Sequence, residues 1–202
     1  MEVISIFDIF KIGVGPSSSH TLGPWKAALN FTASISNLIF DKIEIRLYGS
    51  LSKTGKGHAT NEAIQLGLLG YDPETIPTHQ ITEILKQLHS KKKITIQKNT
   101  LLFDAQKHIV FTDKSKKGHP NTIKFKIYLK EKLIKETTYY SVGGGFINKK
   151  GENRSNLSKK IPYPIQNGSQ LKKHIEKSSL SISEVIWANE TALRPEKEVK
   201  EK

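Results

Sequence analysis

Apolar residues recur at helical spacing through the first part of the chain and at alternate positions through the second, with the change falling near residue 92. Over residues 22–39, Trp25, Ala28, Leu29, Thr32, Ile35, Leu38 and Ile39 share one helical face. Pro24 suits the first helical position, because its missing N–H would have no intrahelical partner there. KIEIRLYG (42–49) puts Ile43, Ile45 and Leu47 on one side of a half-buried strand that ends at Gly49. Further helices are predicted over 61–70 and over 80–90, where Ile81, Ile84, Leu85 and Leu88 repeat at helical spacing. From 92 onward KKITIQ, LLFD, HIVFT, TIKFKIYLK and KLIKETTYYSV alternate apolar with polar residues, and LKEKLI supplies a hairpin. The triple glycine of GGGF (143–146) ends the last long strand as a bulge or tight turn, or as a place where a ligand or backbone comes close. Together these elements predict an α+β fold, a mostly antiparallel sheet with helices packed on one face.

Residues 148–168 are polar and carry two prolines, as a linker does. Beyond them lie two short helical patterns, one with Leu171 and Ile175 near Leu180, the other with Ile182, Val185, Ile186 and Leu193. Such a pair is too small to bury its own core, so it either docks on the sheet domain or begins something further. At 202 residues the chain has room for one main domain and an appendage. The N-terminus lacks the basic region and cleavage site of a signal peptide, and no apolar run approaches a membrane span, so a cytoplasmic protein is expected, with no membrane partner.

There is no cysteine, which excludes disulfides, thiolate nucleophiles and any thiolate-held metal built from this chain alone. The net charge of +13 invites a nucleic-acid reading. Yet only Arg46, Arg154 and Arg194 among the basic residues are arginine, and no aromatics are interleaved with the lysines. A lysine-biased surface, with no nucleic-acid partner, is the expectation.

Two loops carry the candidate chemistry. KIGVGPSSSHTLGPWKAA (11–28) gathers Ser17, Ser18, Ser19, His20 and Thr21 just before a predicted helix. Helix capping uses one such hydroxyl; four of them, beside unpaired N–H groups, also suit a carboxylate or phosphate. GSLSKTGKGHAT (49–60) bends at Gly55 and Gly57 and offers Lys56, His58 and Thr60. Its spacing is not that of a Walker phosphate loop, whereas an imidazole at a helix start is a candidate general base. KGHPNTIKF (117–125) sets His119 and Asn121 before a strand, either as a plain turn or as a small polar pocket able to hold an amino acid. His79, His89, His108 and His174 read as surface residues.

SIFDIFKIGVGPSSSHTLGPWKAA, YGSLSKTGKGHAT, GHPN and TTYYSVGGGFI, in this order, resemble the N-terminal β domain of the bacterial iron-sulfur L-serine dehydratases, or L-serine ammonia-lyases. LSISEVIWANE resembles the first helix of that family's catalytic α domain. The resemblance implies a fold like an allosteric substrate-binding domain over 1–150, a linker over 151–168 and the start of the α domain over 169–202. It implies conversion of L-serine to pyruvate and ammonia, with a [4Fe-4S] cluster as Lewis acid on the leaving hydroxyl. By the same resemblance, His58 is the expected base, with His20 positioning substrate or serving as the alternative base. Ser17, Ser18, Ser19, Thr21, Lys56 and Thr60 are expected to bind substrate, and His119 and Asn121 a regulatory L-serine. The family usually continues the last motif with Gly-Met, where this chain has Thr122 and Ile123. No metal ligand is expected here: the cluster's cysteines belong to an α domain or α subunit, either further along a longer chain or on a partner. The chain alone is therefore expected to be inactive, and the enzyme to be a homo-oligomer. The alternative expectation is an amino-acid-sensing domain without catalysis.

Overall fold

The computed structural model describes residues 5–112, 119–152 and 160–201. They form two units, one built from the described residues within 12–152, the other from 5–11 together with 160–201. Residues 5–11 thus group with the C-terminal helices.

In the larger unit, a π-helical turn (Ser18–Leu22) runs directly into α2 (Gly23–Ala33). The helix therefore begins four residues before the predicted start. Ser17 caps it, its hydroxyl accepting from the His20 N–H, while its carbonyl accepts from both Thr21 and Leu22. α2 also stops short of residue 39. Its last turn carries Thr32 and Ser34, whose hydroxyls donate to the carbonyls of Leu29 and Phe31 and so compete with the helical ladder.

Next come β1 (Lys42–Gly49), α3 (Ser50–Thr54), a 3-10 turn (Gly55–His58), α4 (Thr60–Leu68) and, after a second 3-10 turn (Thr78–Gln80), α5 (Ile81–Lys91). β2 (Lys93–Ile96) and β3 (Asn99–Leu102) form a separate two-stranded hairpin. Then follow α6 (Ala105–His108), β4 (Ile109–Phe111), β5 (Asn121–Leu129), β6 (Lys132–Gly143) and β7 (Phe146–Lys149). The main sheet has five strands in the order β4-β1-β5-β6-β7, parallel between β1 and β4 and antiparallel elsewhere. β5 and β6 join through Lys130 and Glu131, both at positive φ, which is the predicted hairpin.

The alternation read from the sequence becomes the two faces of this sheet. Ile43, Ile45, Leu47, Ile123, Phe125 and Ile127 are all fully buried, and meet Ala27, Ala28 and Phe31 of α2 and Ile64 and Leu68 of α4. Phe31 stacks on Phe125 with ring centroids 4.7 Å apart. Tyr139 packs its edge on the same phenylalanine, and burial, then the charge of Glu152, pushes its hydroxyl up to about 12. On the opposite face Glu44 pairs with Arg46, and Lys124 and Lys126 both pair with Glu136.

The smaller unit contains α1 (Ile6–Ile9), α7 (Gly168–Ser178), α8 (Ile182–Leu193) and α9 (Glu196–Glu201). Its centre is Glu190, only 3% exposed. The carboxylate accepts from the Ser5 hydroxyl and the Ile6 N–H, each at 2.7 Å, and pairs with Arg194 at 2.9 Å. Of the expected linker, 153–159 lies outside the described residues. Within 160–167, Tyr163 exchanges two hydrogen bonds with the Asn189 side chain, so this part is tied to α8.

Candidate functional site

The two hydroxyl-rich loops meet. The rings of His20, in the π-helical turn, and His58, at the end of the 3-10 turn, have centroids 5.1 Å apart and are tilted by 44°. Cross-bonds fasten one loop to the other: the Thr21 hydroxyl donates to the His58 carbonyl at 2.8 Å, and the Thr60 hydroxyl donates to the His20 carbonyl. Both threonines are buried, so these two hydroxyls brace the frame. Ser18 is exposed, and Ser17 and Ser19 are half-buried.

Each imidazole is oriented differently. His58 Nδ1 lies 2.9 Å from the Thr54 carbonyl, which can only accept, so Nδ1 carries the proton. In the neutral ring Nε2 is then the basic atom. His20 is held at both nitrogens, by the Ser19 hydroxyl at 2.9 Å from Nδ1 and by the Ser50 hydroxyl at 3.1 Å from Nε2. Burial, then the adjacent His58 charge, lowers the His20 pKa below the usual 6.5, with the hydrogen bond at Ser50 working the other way. One ring thus has Nε2 left outside its hydrogen bond to the loop, while the other is disfavoured for protonation and fixed between two serines.

The end of the sheet sets the floor. Gly49 adopts φ 62° and ψ −129°, a glycine conformation, and a Cβ there would lie 2.3 Å from the Pro120 carbonyl. That carbonyl accepts from the Ser50 N–H at 2.8 Å, which places the Ser50 hydroxyl against His20. From β6 the fully buried Ser141 donates its hydroxyl to the Ser19 carbonyl at 2.8 Å. Asn121 donates from Nδ2 to the Ser141 carbonyl at 3.3 Å, and its Oδ1 is buried without a partner among the described residues.

His119 and Asn121 are joined through the backbone, the Asn121 N–H donating to His119 Nδ1 at 3.1 Å. Their side chains part company: Asn121 reaches Ser141, whereas the His119 ring lies 5.7 Å from that of Tyr140. There it lines a hollow of about 510 Å³ with Lys124, Glu136 and Tyr140. Lys56 also stands apart, in a groove of about 960 Å³ along β4, with its Nζ 5.4 Å from the centre of the Phe111 ring.

Three contributors lie within the quoted motifs yet receive no role of their own from them: Ser50, Ser141 and the Thr54 carbonyl. Ser50 had one signal, its place directly after a strand-ending glycine. Ser141, a small residue at an inward position of β6, is marked only by its place in TTYYSVGGGFI. No group of three or more His, Asp or Glu that could hold a metal occurs among the described residues. No helix among them is long and apolar enough to cross a membrane.

A family described as serine dehydratase beta chain matches residues 5–152. L-serine dehydratase 2 of Escherichia coli (strain K12) is 35% identical over 98% of this chain and 46% of its own length. The L-serine dehydratase of Helicobacter pylori (strain 26695) is 37% identical over 96% of this chain and 44% of its own. That of Haemophilus influenzae (strain Rd) is 37% identical, covering 95% and 44%. The chain spans a little under half the length of these relatives. With the family matched across the whole larger unit and both histidine loops inside the match, this chain belongs to the serine dehydratase beta chain family.

Proposed function

We propose that this chain is the substrate-binding β portion of an L-serine ammonia-lyase acting in the cytoplasm as a homo-oligomer. The observation that carries the reading is the His20–His58 pair, framed by serines on three segments. The hydroxyls of Ser17, Ser18 and Ser19 meet the carboxylate of L-serine, and Thr21 and Thr60 hold the two loops in register around it, while Lys56, in the groove along β4, stands outside this site. The α-proton passes to His58 Nε2, and the electron pair left on the α-carbon forms the α,β double bond as the β-hydroxyl departs. The aminoacrylate so formed reacts with water to give pyruvate and ammonia. Neutral His20, fixed by Ser50, positions the substrate. His119 and Asn121 take a regulatory L-serine.

The family's [4Fe-4S] cluster supplies Lewis acidity toward the leaving hydroxyl. The residues of this chain do not fit as its ligands, since there is no cysteine, so the cluster is assigned to a cysteine-bearing α portion. The test is pyruvate formation from L-serine by the purified chain, with and without co-expressed α portion. Turnover only in the combination, lowered steeply by His58→Ala, is expected. Pyruvate formed by the chain alone would overturn the reading.

A further inference from the structure

The groove along β4 lies outside the histidine pair, and its chemistry is that of a second site. It holds about 960 Å³ between the ends of α4 and α5 and the edge strand β4. Glu62, on the first turn of α4, lines it and is only partly buried, so its carboxylate borders the groove. A carboxylate at the edge of such a groove favours a cationic donor. Lys56 and Lys92 also line the groove, as does Asp104, whose side chain caps α6 by accepting from the Gln106 N–H. Phe103, Val110 and Phe111 add an apolar wall. An anion-seeking pair, an ammonium-seeking oxygen and an aromatic surface describe the three parts of one ligand class.

We propose that this groove binds a free α-amino acid with an apolar or aromatic side chain larger than that of serine. The carboxylate meets Lys56 and Lys92, the ammonium meets Glu62, and the side chain lies on Phe111 and its neighbours. The groove reports to the histidines through the turn Gly55–His58. A Cβ added to Gly55 would lie 3.1 Å from the Phe111 ring, so that ring abuts the turn, and Lys56 and His58 both belong to it. A ligand that draws in Lys56 or presses on Phe111 shifts the segment that carries His58.

The test is calorimetry of the chain with L-phenylalanine, L-leucine and L-serine, paired with NMR of the His58 ring. L-phenylalanine or L-leucine is expected to bind and to move the His58 resonances. Glu62→Gln, and independently Lys92→Met on α5's C-terminal end, should each weaken that binding by about tenfold or more. L-serine binding should stay within about twofold in Glu62→Gln, since that residue lies outside the serine loops. Absence of heat and shift with both larger amino acids up to about 10 mM, or binding that both variants leave unchanged, would overturn the proposal. Binding of L-phenylalanine without any binding of L-serine would support this groove while counting against the serine site. Circular dichroism of the variants separates loss of the groove from loss of the fold.

Discussion

At the scale of single residues, the two histidines are unequal. His58 has one nitrogen committed to a carbonyl and one left to react, whereas His20 has both engaged. His58→Ala should therefore lower serine turnover in the assembled enzyme by roughly 10²- to 10⁴-fold, the range of a general base. His20 makes a prediction that needs no partner chain. Its NMR titration midpoint should fall below 6.5, and His58→Phe should move it part of the way back, because the His58 charge is the second cause of the shift, after burial. The sign for stability follows from linkage. As pH falls below 6.5 the unfolded chain takes up a proton at residue 20 before the folded chain does. The contribution of His20 to stability is thus present above 6.5 and is lost as pH drops through the lowered folded value, which urea unfolding across pH 7 to 5 would register. A midpoint at or above 6.5 would remove the basis for both statements.

At the scale of elements, the tightest constraint is the join between β1 and α3. Gly49→Ala places a methyl 2.3 Å from the Pro120 carbonyl at a backbone conformation closed to alanine. The expected loss is about 1–3 kcal/mol in chemical denaturation, together with displacement of Ser50 from His20. In the smaller unit, Glu190→Ala leaves the Ser5 hydroxyl, the Ile6 N–H and Arg194 without their acceptor. Thermal unfolding should show a loss of about 3 kcal/mol, the scale of a buried pair deprived of one member.

The strands were legible element by element, because Ile43, Ile45 and Leu47, and Ile123, Phe125 and Ile127, alternate without a break. Less legible was where each pattern stops. The turn at Ser18–Leu22 depends on one carbonyl accepting two N–H groups, and alternation in KKITIQ cannot say which sheet the strand joins. The site divides along the same line. His20, His58 and the serines announce themselves as loop clusters, but Ser50 reaches His20 only because Pro120, distant in sequence, holds its backbone. Ser141 matters only once β6 lies beneath Ser19.

On the scale of the whole molecule, the charge of +13 and the open face of the sheet need separate accounts. That face carries Lys124 and Lys126 against Glu136, and Arg46 against Glu44, so it is largely neutralised within itself. The excess of lysine is spread over the remaining surface, and binding to nucleic acid should be weak and lost steeply with salt. The cross-bonds of Thr21 and Thr60 have a consequence in time as well as in space. Because each loop's threonine holds a carbonyl of the other, neither can open while its neighbour stays closed, and the two should exchange their amide hydrogens with deuterium as one unit. Thr21→Val should quicken exchange on both sides of the site at once, so that whatever enters or leaves the serine loops waits on a single shared opening.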